Sequence, residues 1–293
     1  MSINVDPGSA FLWVPSRPTA SVSWLRLALR SKGVVVGGVI ICFWIVCAVA
    51  GNLIAPHDPL AVHSASTLAS PTNGHPFGTD KFGRDVLSRV IVGSRDILTV
   101  APLATLVGVV CGTFIGLLMG YSLGLIDMVV GRGLEAVLAL PTVVVALLGL
   151  AAFGPSGLTV TLVIGFIFTP YVARTVRTGV LAEREQEYVE AARARGENAA
   201  HIMGIEILPN VLALVLVEAT VRLGYAIFAV ATLSFIGFGI QPPSPDWGLS
   251  MAENYGLING GYWWPTIFPA LAIATLVVGV NLVADGVGEA LDR

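Results

Sequence analysis

The chain holds few side chains that could do chemistry, and most stand where they cannot. Its only lysines are Lys32, after Ser31, and Lys81, after Asp80. A P-loop places lysine after glycine so that backbone amides and the ammonium cradle phosphate together, and that route to ATP hydrolysis is excluded. Ser156, in Gly154-Pro155-Ser156-Gly157, needs an imidazole beside it to become a nucleophile, but His57, His63, His75 and His201 all fall outside the long apolar blocks. The tetrapeptide therefore reads as a turn. His57, Asp58 and His63 lack a third ligand at metal-like spacing and read as a solvated loop, with no metal site. Cys42, Cys47 and Cys111 sit inside apolar blocks and read as small buried hydrophobes. Glu218 and Arg222 stand four apart, on one face of a helix, and read as a mutually neutralising pair. What remains is one crowded polar segment, EYVEAARARGENAAHIMGIEILPN at 187–210, in a chain with only 12% charged residues.

The elements that must carry this segment are apolar. Hydrophobic residues make up 55% of the 293 and the mean hydropathy is +0.82, concentrated in long blocks that mark an all-α integral membrane protein. The 16 basic and 19 acidic residues form neither a polybasic tail nor an acidic tract, which argues against a nucleic-acid partner. Spans are expected at 33–55, 97–122, 134–153, 157–178, 211–239 and 264–284, six helices in all. Ala48-Val49-Ala50 has the small-residue pattern of a signal-peptidase site, but the apolar run continues past it and the first span is expected to be retained. With residues 1–32 cytoplasmic, inside segments hold Arg17, Arg26, Arg30, Lys32, Arg132, Arg174, Arg177, Arg184, Arg193, Arg195 and Arg293, against Lys81, Arg84, Arg89 and Arg95 outside. This asymmetry fits the positive-inside rule. It divides the chain into a cytoplasmic N-terminal segment (1–32), a first span (33–55), an extracytoplasmic segment (56–96), a five-span core (97–284) containing a cytoplasmic loop (183–210), and a cytoplasmic tail (285–293).

Within 56–96, charges alternate with Val86, Leu87, Val90 and Ile91 at helical spacing, which suits either a short helix along the membrane surface or a solvated lead-in to the second span. Gly108, Gly112, Gly116, Gly120 and Gly124 recur every four residues and describe a slanting groove into which another helix can pack, or which lines a pathway. Leu140-Pro141 and Thr169-Pro170 are expected to kink the spans that contain them.

The polar segment reads as two short helices, Glu183 to about Arg195 and Asn198 to about Leu208, with Gly196 as the left-handed turn between them. Ala191 and Ala192 leave room for another surface to approach. Ala199, Ile202, Ile205 and Leu208, at steps of three, give one apolar stripe, while Pro209 ends the helix and Asn210 caps the next. A cytosolic surface of mixed polarity calls for a protein partner.

Glu190-Ala191-Ala192, Gly196 and the closing Leu208-Pro209 resemble the EAA loop of ABC importer permeases, with Glu206 replacing an apolar position of the general pattern. GTDKFGRDVLSR (78–89), LSFIGFGIQPPSPDWG (233–248) and NLVADGVGEALDR (281–293) narrow the resemblance to the shorter permease subunit of the dipeptide, oligopeptide and nickel importers. The resemblance implies a type I importer with a MetI-like permease fold, in which this chain pairs with a second permease, two ATPases that bind ATP and magnesium, and an external substrate-binding protein. It implies no cofactor on this chain and peptide as cargo, with a nickel chelate or an opine-like conjugate as alternatives. Glu190, Ala191, Ala192, Gly196, Ile202, Ile205, Leu208 and Pro209 would then meet the ATPase. Gln241, Pro242, Pro243, Asp246 and Trp247 would contact the binding protein or anchor at headgroups. A transporter driven by an ion gradient is disfavoured, because no unpaired midplane acid is apparent.

Overall fold

Backbone amides and carbonyls have no solvent to bond in hydrocarbon, so apolar blocks of this length satisfy them internally as helices. The computed structural model describes residues 31–291. Expectations for 1–30, with Arg17, Arg26 and Arg30, and for Arg293 lie outside these residues. The helices are α1 (Lys32–Ile54), α2 (Val86–Ser122), α3 (Gly124–Leu138), α4 (Thr142–Phe153), α5 (Gly157–Glu183), α6 (Glu187–Ala194), α7 (Ala199–Phe235), α8 (Trp247–Asn254) and α9 (Trp264–Leu291). Among the described residues there is no β-strand. Five of these helices are long and apolar enough to cross a membrane, and the bent pair α3–α4 makes a sixth span if counted as one.

The core of the bundle is the pairing of α2 with α5. Gly108, Gly112, Gly116 and Gly120 face α5, where a Cβ on Gly112 would stand 2.5 Å from Val172 Cβ and one on Gly120 would stand 2.7 Å from Val180 Cβ. With no side chain in the way, Phe168, Val172, Val176 and Val180 settle directly onto the α2 backbone, and van der Waals contact replaces the hydrophobic drive that lipid cannot supply. Gly124 does not belong to this row. Its φ of +63° and the open space around it make it the turn residue that ends α2 and starts α3. Helix α1 packs on α9 in the same manner, Gly37 lying against the carbonyl of Gly279.

Two expectations about the spans need correction. Residues 86–96 do not form a separate short helix; they are the first turns of α2, which runs unbroken for 37 residues, about 55 Å. Its start is held by Asp85, whose carboxylate accepts from the Ser88 N–H at 2.8 Å. The expected span 134–153 is not one kinked helix: α3 and α4 meet at 91°. Pro141 disfavours helical geometry at Leu140 and itself adopts an extended ψ of 123°, so the helix restarts at Thr142. Helix α4, of 12 residues, is about 18 Å long and too short to cross a bilayer core by itself. Pro170, like Pro102 and Pro269, stands inside a helix that continues through it. Of the cysteines, only Cys47 is buried.

At the start of α2 the motif 78–89 folds into a buried ion-pair network. Arg84 bonds Asp80 through Nε at 2.6 Å and also reaches Glu253 of α8, while Arg89 donates to Ser250 Oγ at 3.0 Å and the Ser244 carbonyl at 3.1 Å. Arginines this deeply buried persist because each has acceptors. His57, His75 and Asp85 gather nearby, their ligand atoms within 4.8 Å of one another, where spacing had grouped His57 with Asp58 and His63. The Asp85 oxygens are already engaged, Oδ1 by His75 at 2.8 Å and Oδ2 by the amide and hydroxyl of Ser88.

Candidate functional site

At the far end of α2 and α5, the polar segment forms a bracket. Helix α6 begins with Glu187 and Glu190 and has Arg193 in its last turn, an order that complements the helix dipole. It closes in a Schellman motif: Gly196 N–H donates to the Arg193 carbonyl (3.0 Å) and Glu197 N–H to the Ala192 carbonyl (3.2 Å). Gly196 sits at φ +79°, in the left-handed region expected for the turn between the two helices. Asn198 then caps α7 by accepting from His201 N–H at 2.8 Å.

The second half departs from the simple reading. Residues Ile202–Ile207 of α7 wind as a π-helix, and the helix continues through Leu208 and Pro209 without a stop. Pro209 has no N–H to offer the preceding turn, and the wider winding accommodates it, with Leu208 N–H reaching back to the Met203 carbonyl. Asn210 is not a cap; its side-chain amide donates to the Glu206 carbonyl at 2.6 Å and to Tyr188 Oη at 3.2 Å.

This winding redistributes the expected contact residues. Ile202 and Ile207, five apart, both point inward and are buried, while Ile205 is 62% exposed and Leu208 half-buried. The stripe at steps of three therefore splits. Ala192 is likewise buried, against the protein's own core, and Ala192 and Ile202 cannot touch an outside surface. The exposed face is formed by Glu190, Ala191, Gly196, Ile205 and Pro209. Glu206, the departure from the general pattern, pairs with Arg195 at 3.3 Å.

The inward face is continuous with the spans. Val189, Ala192, Ile202 and Ile207 form one cluster with Leu117 of α2, with Val172, Val176 and Val180 of α5, and with Val211 and Val215 of α7. Arg184 adds a tie that sequence reasoning did not find, donating to the Tyr121 carbonyl at 2.9 Å at the end of α2. No spacing signal marks it, since the acceptor is a backbone group 63 residues away. The bracket is thereby packed against three long helices at once.

At the opposite end, Gln241, Pro242 and Pro243 are exposed, whereas Asp246 and Trp247 are fully buried. Trp247 is not an interfacial anchor and is not available to a partner: its Nε1 donates to the Val90 carbonyl at 2.8 Å and its ring packs edge-on against Trp44. Asp246 caps α8, accepting from Leu249 N–H at 2.8 Å.

A bundle of apolar helices, five of them long enough to cross a membrane, with a polar bracket braced against its core defines a multi-pass membrane component. The chain belongs to the family of binding-protein-dependent transport system inner membrane components, whose model matches residues 112–293. It is 38% identical over 269 residues to the dipeptide transport system permease protein DppC of Escherichia coli K12, covering 90% of this chain and 89% of that one. It is 35% identical over 263 residues to the DppC of Alkalihalophilus pseudofirmus, with 90% and 86% covered. The probable D,D-dipeptide transport system permease protein DdpC of Escherichia coli K12 is 35% identical over 260 residues, with 88% and 86% covered.

Proposed function

We propose that this chain is one of two permease subunits of a peptide importer, driven by partner ATPases that dock on the exposed face of the bracket and supply the MgATP chemistry. The observation that carries the reading is the shared cluster joining Val189, Ala192, Ile202 and Ile207 to α2, α5 and α7. A close-packed core transmits displacement because it cannot absorb it. Closure of an ATPase dimer against Glu190, Ala191 and Ile205 would therefore tilt the spans and switch the pathway between its two openings. In this arrangement the bracket, the start of α1 and both termini are cytoplasmic. Residues 55–85, α8 and Gln241–Pro243 are extracytoplasmic, where an external binding protein delivers cargo. Peptide is the cargo named for the three relatives described above.

The test is ATP hydrolysis by the complex purified through a tag on this chain, in nanodiscs, with its binding protein and with or without a mixed peptide pool. Peptide-stimulated hydrolysis is expected. Gly196→Trp should abolish stimulation while leaving membrane insertion intact, since the glycine's surroundings are open on the docking side. Full stimulation in that variant would defeat the docking assignment, and no co-purifying ATPase would defeat the importer reading.

A further inference from the structure

Halfway along α7, within the spans, Arg222 bonds Glu218, Nε to Oε1, at 2.6 Å. Both side chains are mostly buried, 17% and 13% exposed. A buried pair of this kind is frequently no more stable than apolar residues of the same volume, so stability alone does not account for it. The rest of the guanidinium makes no further hydrogen bond among the described residues. Among the described residues neither Nη1 nor Nη2 has a hydrogen-bond acceptor, whereas Glu218 receives a second donor, the Thr175 hydroxyl, at 3.4 Å. The cation is flanked instead by ring faces, with Tyr171 at 4.8 Å, Tyr225 at 5.6 Å and Phe168 at 5.9 Å from ring centre to guanidinium carbon. These groups line a cavity of about 490 Å³ between α4, α5 and α7, to which Thr142 and Thr232 add hydroxyls. That volume lies within the range of small-ligand sites, roughly 300–1,000 Å³.

Resting on the importer reading above, we infer that Arg222 is the point inside the membrane at which the free C-terminal carboxylate of a passing peptide is held. Guanidinium presents its two terminal N–H groups as a planar fork that matches a carboxylate, and a fork with one edge bound to Glu218 and the other free can take a second carboxylate. Glu218 fixes the side chain and offsets its charge. The grip is thereby weakened, as a site that must release its cargo requires. Tyr171 and Tyr225 offer aromatic surface to the peptide's own side chains without selecting among them.

The probe is radiolabelled L-alanyl-L-alanine bound to the assembled complex in nanodiscs, without the binding protein, and competed by unlabelled dialanine or by its C-terminal amide. In the wild type the acid should compete at least tenfold better than the amide. Single neutralisation of Arg222 would strand Glu218, so the decisive variant is Glu218→Gln with Arg222→Gln, which leaves no orphan charge. It should compete equally with both. Arg222→Lys, which keeps the charge and loses the fork, should fall between. An acid-over-amide preference of unchanged size in the double variant, or none in the wild type, overturns the inference. Import of dialanine by the wild type with its binding protein is measured in parallel. If import proceeds while the preference is absent, the carboxylate site alone falls; if the wild type imports no dialanine, the peptide reading beneath it falls as well.

Discussion

At the scale of single residues, the same amino acid has opposite consequences depending on what faces it. Gly112 and Gly124 belong to one sequence repeat, yet only Gly112 lies against α5. Gly112→Leu must push Val172 and the Thr169 carbonyl away, and overpacking of this type costs about 1–3 kcal/mol. Gly124→Ala meets nothing and pays only for its left-handed backbone, about 1 kcal/mol. Thermal unfolding in detergent should show the larger loss at Gly112, and equal losses would contradict the groove. Asp246 is the second case. Burial pushes its carboxyl up from 3.8 to about 6, against the opposing effect of the Leu249 amide. The folded state therefore holds a proton that the unfolded chain has lost between about pH 4 and pH 6, and stability falls as pH rises through that window. Asp246→Asn keeps an acceptor for Leu249 and removes the charge. It should stabilise the protein at pH 7.5 by on the order of 3 kcal/mol and flatten the dependence between pH 4 and pH 6; an unshifted midpoint at pH 7.5 would refute this.

At the scale of elements, the π-helical stretch decides what the bracket shows to the outside. In α-helical winding, residues five apart diverge by about 140°, so Ile202 and Ile207 could not both enter the core. Pro209 supplies the cause by withholding a backbone donor where the π-helical stretch of α7 meets its α-helical remainder. Pro209→Ala should let this stretch relax toward α-winding and turn one of the two isoleucines outward. The expected readout is labelling of a cysteine placed at 202 or 207, together with a several-fold fall in peptide-stimulated ATP hydrolysis. Unchanged labelling and unchanged hydrolysis would show that the winding does not depend on Pro209. In the loop before α8, replacing only Gln241–Pro243 by Gly-Ser residues should reduce stimulation by the binding protein without loss of stability, since these side chains are exposed and Asp246 and Trp247 are left in place.

At the scale of the whole molecule, the bundle is tied at both ends. The bracket ties α2, α5 and α7 at one end, and the network of Asp80, Arg84, Arg89 and Glu253 ties α2 to α8 at the other. Arg84→Ala would leave two buried carboxylates without their main partner, and breaking such a pair costs about 3–5 kcal/mol. The variant should be recovered at low yield, with α8 cut early in limited proteolysis. Wild-type yield and wild-type cleavage would mean that the network is dispensable.

Sequence alone determined the class of molecule, because apolar length and charge asymmetry follow from transfer free energies that hold whatever the neighbours are. It also determined the turn at Gly196, a local backbone requirement. The tertiary structure decided the orientation of each side chain within its motif. Ala192, Ile202, Asp246 and Trp247 sit in stretches whose composition calls for a partner, and the partner of each proved to be the chain itself. The break at Pro141 and the continuity through Pro209 make the same point. Proline always removes a donor, but whether a helix ends or rewinds there depends on what the flanking turns can pack against, and that is settled only when the helices meet.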